Sequence, residues 1–215
     1  MSAPSPSPDF SAGPVSPWRR MWAAPAATTL NMLQYGQGDA WALPLLLGGG
    51  VLSSLAPQTR ELLAQTLPEG VNVLNVALIG GVTLGVVQAL IWPPLLQLAS
   101  RWLGGQGHLR ASRLAAAWSS LPLLLSSLLA PLGGSVDAPT LGTAFYGLLN
   151  LLLTVWTMVL LVRSLAAAQR LETGKTVLAV LIGGLLFVAA LFAAGIVAAL
   201  GLVLLGIGPE ALRPR

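Results

Sequence analysis

Five uncharged stretches, each about as long as a bilayer is thick, dominate this sequence: Ala40 to Thr59, Gly70 to Ser100, Leu114 to Val136, Ala138 to Val162 and Thr176 to Pro209. Backbone amides in hydrocarbon have no water to bond, so a stretch of roughly 20 apolar residues there must coil into a helix and cross. The gaps predict spans near Trp41–Leu55, Val73–Trp92, Leu114–Leu132, Thr143–Val162 and Val180–Leu205. Pro44 and Gly48-Gly49-Gly50 make the first the weakest helix former. The composition agrees, with 55% hydrophobic and only 8% charged residues, where a water-facing domain carries about 25% charged. The fold class expected is an all-α integral membrane protein.

The basic residues alternate from loop to loop. Arg19, Arg20, Arg101, Arg110, Arg113, Arg163, Arg170 and Lys175 fall on one side of the five crossings, and Arg60, Arg213 and Arg215 on the other. Short loops rich in Lys and Arg stay in the cytoplasm, which predicts a cytoplasmic N-terminus and an outer C-terminus. Glu61, Glu69, Asp137 and Glu210 fall on the outer side. Trp18, Trp22, Trp41, Trp92, Trp102 and Trp118 cluster near the cytoplasmic helix ends, where an amphipathic ring prefers the headgroup level.

Ahead of the spans, residues 1–16 are rich in Ser and Pro and read as a disordered tail without the apolar run of a secretory signal. Residues 17–38 form an amphipathic segment, with Trp18, Met21, Trp22, Ala26, Leu30 and Leu33 at helical spacing and a break at Pro25; it predicts a helix in the cytoplasmic interface. Residues 39–208 hold the five spans and 209–215 a short outer tail. Pro93-Pro94 should end or kink the second span, leaving Leu95 to Leu103 along the cytoplasmic surface. Gly104 to Arg110 reads as a flexible basic turn.

Few chemistries survive inspection of the residues. There is no cysteine and one histidine, His108, so neither disulfides nor the usual zinc or haem ligand sets are available. Gly174-Lys175-Thr176 resembles the end of a phosphate loop, but Gln169 stands where that loop needs its first glycine. Hydrolase and protease signatures are missing, and no carboxylate lies within a span, which argues against enzymes and ion-coupled transporters. No cofactor or metal is expected.

What the spans do carry is small and polar residues in stripes. Thr143, Gly147, Asn150, Thr154 and Thr157 share one face of the fourth span, and Ala77, Gly81, Gly85 and Gln88 one face of the second. Such stripes pack helices closely and bond across them. Alternatively, Thr143, Asn150, Thr154, Thr157 and Gln88 line a polar path or pocket. On the cytoplasmic side, Arg101, Arg110, Arg113, Arg170 and Lys175 are the candidates for binding anionic headgroups.

Three features in order resemble the Yip domain family of multi-pass membrane proteins. These are the amphipathic segment Trp18 to Tyr35; the turn Leu103-Gly104-Gly105-Gln106-Gly107 followed by Ser112-Arg113-Leu114-Ala115-Ala116-Ala117-Trp118 and Leu121-Pro122; and Val155-Trp156-Thr157 followed by Leu165-Ala166-Ala167-Ala168-Gln169-Arg170-Leu171 and Gly174-Lys175-Thr176. The resemblance implies five spans and a cytoplasmic N-terminus. Eukaryotic relatives act in vesicle trafficking and bind prenylated small GTPases, but their Asp-Leu-Tyr-Gly-Pro motif is absent here, so that partnership is not carried over. Richness in Pro, Gly and Ala points to a prokaryotic branch and a bacterial inner membrane. The function expected is a non-enzymatic membrane protein that organises protein or lipid partners at the cytoplasmic face; the alternative is a small-solute transporter or channel using the fourth-span stripe. Membrane lipids, membrane or cytoplasmic proteins and a second copy of the chain are the partners expected, and nucleic acid is not.

Overall fold

A computed structural model describes residues 13–133 and 141–204, and every regular element within them is helical. Most of the Ser/Pro-rich tail, Asp137 and the tail 209–215 lie outside the described residues. Two short helices come first, α1 (Pro17–Arg20) and α2 (Pro25–Tyr35), each opening on a proline. Proline suits the first turn, where its missing N–H would have no helical partner. There follow α3 (Asp39–Leu55), α4 (Pro57–Thr66), α5 (Val73–Trp102), α6 (Leu109–Ser119), α7 (Leu121–Leu129), a 3₁₀ turn at Ala130–Gly133, α8 (Leu141–Gln169) and α9 (Thr173–Leu204).

Four helical stretches are each long and apolar enough to cross a membrane: Val73–Trp102, Leu109–Leu132, Leu141–Gln169 and Thr173–Val197. The expected first span, Trp41–Leu55, lies unbroken within α3, but a bend follows it. At 17 residues α3 is only about 25 Å long, and α4 leaves it at 59°. Ala56 makes the break: it precedes Pro57, is driven out of the helical region and sits at ψ 138°. Counting α3 and α4 as one broken span gives five crossings.

Pro93 and Pro94 do not end the second span. α5 runs through both to Trp102, so Leu95 to Leu103 continue the helix rather than turning along the surface. Burial holds it there: Leu96 is fully buried with Ala115, Ala116, Leu161 and Leu165, and Gly183 of α9 lies against the Leu96 side chain. In the third span, the Pro122 break separating α6 from α7 is tolerated because hydroxyls take up carbonyls beside it. Ser119 Oγ donates to the Ala116 carbonyl (3.0 Å) and Ser120 Oγ to that of Ala117 (2.7 Å).

The glycine run that weakens α3 as an isolated helix is what packs it. A Cβ on Gly50 would collide with the backbone of Gly81 and Gly85, and one on Gly85 would lie 2.8 Å from the Leu47 carbonyl oxygen. Lipid gives no hydrophobic drive between helices, so this backbone-to-backbone approach supplies the attraction. The second-span stripe of Ala77, Gly81 and Gly85 is accordingly buried.

The crossings place α2, the 103–108 turn, the start of α6, the end of α8 and the start of α9 at one end of the bundle, here termed the basic end. Arg101, Arg110, Arg113, Arg163, Arg170 and Lys175 are all there; Arg60, Glu61 and Glu69 belong to α4 and its following turn at the far end.

Candidate functional site

The amphipathic segment docks on the bundle at the basic end. Met21, Pro25, Thr28, Thr29, Asn31 and Met32 are buried, and Trp22 and Leu33 pack against the same core as Trp118 and Leu114. Met21, Trp22 and Leu33 of the stripe expected in the membrane interface thus face the bundle instead, joined there by the polar Thr28, Thr29 and Asn31. Tryptophan contributes differently too. Trp118 is fully buried within the protein (0% exposed) rather than facing lipid; its Nε1 donates to the Gly38 carbonyl (3.3 Å). Trp18 packs edge-on against Trp118 (4.9 Å) and Trp41 (5.4 Å), fastening α1 to the bundle. Gly38 takes φ 83°, and a Cβ there would meet Met32 Sδ at 2.7 Å and Trp118 Nε1 at 2.8 Å.

Beneath α2, three helices and the 103–108 turn are joined by buried amide and hydroxyl groups. Gln169, ending α8, donates through Nε2 to Gln97 Oε1 on α5 and to Ser112 Oγ on α6 (2.7 Å), and its Oε1 accepts the Gly107 N–H (3.0 Å). Ser112 Oγ donates to Gln97 Oε1 (2.9 Å), and Gln97 Nε2 donates to the Gly107 carbonyl (2.7 Å). The Gln169 carbonyl accepts from the Gln106 N–H at 3.0 Å. Gln169 and Ser112 are wholly buried and Gln97 nearly so. A Cβ on Gly107 would strike the Ala168 carbonyl. The turn expected to be flexible is therefore held on both sides. α8 ends beside it with Arg170 at φ 55° and the Leu171 N–H on the Ala166 carbonyl (3.0 Å), a C-terminal closure that usually recruits glycine.

Above this network opens a basin of about 580 Å³, lined by Leu30, Leu33 and Gln34 of α2, by Gln106, Gly107, His108 and Arg110, and by Ala168 and Arg170 among others. His108 is the residue before α6; its carbonyl takes the Ala111 and Ser112 N–H groups (2.9 and 3.3 Å) but its side chain caps neither Leu109 nor Arg110, and the start of a helix is electropositive. Arg110 grips Asp39 at the head of α3 through Nε, 3.0 Å from both carboxylate oxygens, and through Nη2. Arg170 has no carboxylate within salt-bridge distance among the described residues.

Of the headgroup candidates, then, Arg110 and Arg170 share one concavity, and Arg110 is already paired. Arg101, Arg113 and Lys175 are exposed at the same end but do not line the basin. The fourth-span stripe does not form one path. Ser126 of α7 donates to Asn150 Oδ1 (2.7 Å), while Thr154 Oγ1 donates back to its own helix at the Asn150 carbonyl (2.8 Å). Thr143, among the first residues of α8, lines none of the cavities described below or above. Gln88 and Thr157 face a common cavity, of about 300 Å³. In the sequence Gln97, Ser112 and Gln169 are each an ordinary polar residue near a helix end, with no spacing that marks them as a unit.

Crossing helices, charge gathered at one end and a docked N-terminal segment define a multi-pass α-helical membrane protein. Comparison with family models goes further: the Yip1 domain matches residues 19–197, and the chain belongs to that family. Against curated proteins and against solved structures, the chain has no match.

Proposed function

We propose that this Yip1-domain protein is a non-enzymatic scaffold of the prokaryotic branch, set in a bacterial inner membrane with its basic end in the cytoplasm, where the basin receives an anionic lipid headgroup. One observation carries the reading. Arg170, without a salt-bridge partner among the described residues, the start of α6 and Arg110 meet in one concavity at the basic end, walled by α2. Each basic residue near an anionic surface contributes on the order of 1 kcal/mol, and helix N-termini favour phosphate. Asp39 tempers Arg110, so selectivity rests mainly on Arg170. Protein partners that carry acidic groups would meet the same charges.

The experiment is lipid retention. Protein purified from native membranes is analysed for bound lipid by mass spectrometry, with Arg170→Gln and Arg110→Gln beside Arg60→Gln as a far-end control. The anionic share of retained lipid should fall in the first two variants and stay level in the third. Equal anionic retention in all of them overturns the reading. Orientation is checked separately: because the chain has no cysteine, Gln106→Cys and Glu172→Cys report cleanly, and both should resist an impermeant thiol reagent on intact cells.

A further inference from the structure

Mid-way along the bundle, away from the basin, α5, α6, α7, α8 and α9 enclose a second cavity of about 300 Å³. This is at the small end of the roughly 300–1,000 Å³ range typical of ligand pockets. No charged residue lines it. Its walls include Trp92, Phe187 and Met158, with Gln88, Thr157 and the serine pair Ser119–Ser120 as the polar groups. Four buried hydroxyls find no protein partner among the described residues, those of Thr29, Ser100, Thr157 and Ser164. Of these, Thr157 lines a described cavity, and it is 5% exposed. Gln88 has no hydrogen-bond partner among the described residues either. In a low-dielectric interior an unused donor costs on the order of 1–3 kcal/mol, a cost that a ligand's acceptor would remove.

The donor balance narrows what that is. Ser119 and Ser120 spend their hydroxyl hydrogens on their own helix, on Ala116 and Ala117. The unspent donors are the Thr157 O–H and the Gln88 amide N–H groups, which together seek an acceptor such as a carbonyl oxygen. Trp92 and Phe187 meet edge-on at 5.6 Å and supply an aromatic wall that suits a flat ring. Gln88 lies nine positions before Gln97 and Thr157 twelve before Gln169, which puts the cavity about 13–18 Å below the buried polar network. In a hydrocarbon layer about 30 Å thick that is close to mid-depth, below the ester carbonyls of ordinary lipids. Half-exposed Met158 and Val188 stand at the wall, so the mouth faces the bilayer.

We propose that this cavity binds the ring of an uncharged, carbonyl-bearing membrane lipid of the quinone class, with Thr157 and Gln88 donating to a ring carbonyl and the Trp92–Phe187 pair forming the wall against which the ring lies. The proposal is independent of the headgroup reading, since no basin residue lines this cavity.

Full-length protein in phosphatidylcholine nanodiscs is titrated with a short-tailed naphthoquinone, and quenching of tryptophan emission is followed. Quenching should saturate in the wild type and lose a saturable component in Trp92→Phe. Thr157→Val and Gln88→Leu should each raise the midpoint by roughly tenfold, because each leaves one polar contact unmade. Thr154→Val, whose hydroxyl serves its own helix, is the control and should leave the midpoint unchanged. Thermal melts accompany every variant; Thr157→Val removes an unpartnered hydroxyl and should melt no lower than wild type. Quenching that is linear in quinone, or saturable but equal in wild type and Thr157→Val, overturns the proposal. Displacement by dioleoylglycerol at equal concentration would overturn the ring assignment in favour of an ester lipid.

Discussion

Replacing Gln169 by leucine removes one side chain and three hydrogen bonds while keeping volume and helix preference nearly constant. Gln97 and Ser112 still bond each other, and Gln97 keeps the Gly107 carbonyl. The Gly107 N–H, however, is left part-buried without its acceptor. Two lost bonds from Nε2, at the roughly 0.6–1 kcal/mol typical between membrane helices, and one orphaned amide at about 1–2 kcal/mol together give a loss of about 2–4 kcal/mol. Reversible unfolding in mixed micelles with increasing dodecyl sulfate measures it. Gln97→Leu closes a double-mutant cycle: because the two side chains share a bond, the double variant should cost at least about 1 kcal/mol less than the sum of the singles. Additive costs, or a Gln169→Leu variant within about 0.5 kcal/mol of wild type, would refute the claim that this network ties α5, α6 and α8 together.

Three further outcomes follow from close contacts. Gly85→Ala should push α3 off α5 and lower stability by about 1–3 kcal/mol, whereas Gly80→Ala, with nothing near its Cβ position, should be neutral or slightly stabilising; thermal melts in detergent distinguish the two. Arg170→Gly should relieve the left-handed strain at φ 55° and raise stability by about 0.5–1 kcal/mol, even as retention of anionic lipid falls, so that one variant separates folding from binding. Trp118→Phe loses the indole bond to Gly38 and the larger ring under Trp18; melting should drop by several degrees, and protease should cut first in the released α1–α2 segment.

Hydropathy located the four long crossings because lipid demands an unbroken length of apolar helix, and length is written plainly in a sequence. It located them less well where proline intervened. Pro57, through its effect on Ala56, ends α3 at Leu55 and turns the chain into α4, while Pro93 and Pro94 broke nothing because Leu96, just beyond them, is wedged among three other helices. Local chemistry proposes a break and burial decides whether it happens. The site divides the same way. Positive charge at one end was readable, since it follows from alternation along the chain. That Asp39 would engage Arg110, that Arg170 would turn left-handed at the end of α8, and that Gln97, Ser112 and Gln169 would meet were not. The ion pair and the polar network join residues 15 to 72 positions apart, which carry no pattern in one dimension, and Arg170 stands where a glycine would have marked the turn.

The glycine seam between α3 and α5 bears on how the chain enters its membrane. During synthesis α3 emerges before the longer spans, short, with Pro44 inside it and ending at a sharp bend. By itself it is a poor candidate for the insertion machinery. The surface that accepts Gly50 belongs to α5, which emerges later. The first hairpin is therefore committed as a pair, and a fusion reporter placed after α4 should sit on its proper side only once α5 has been made.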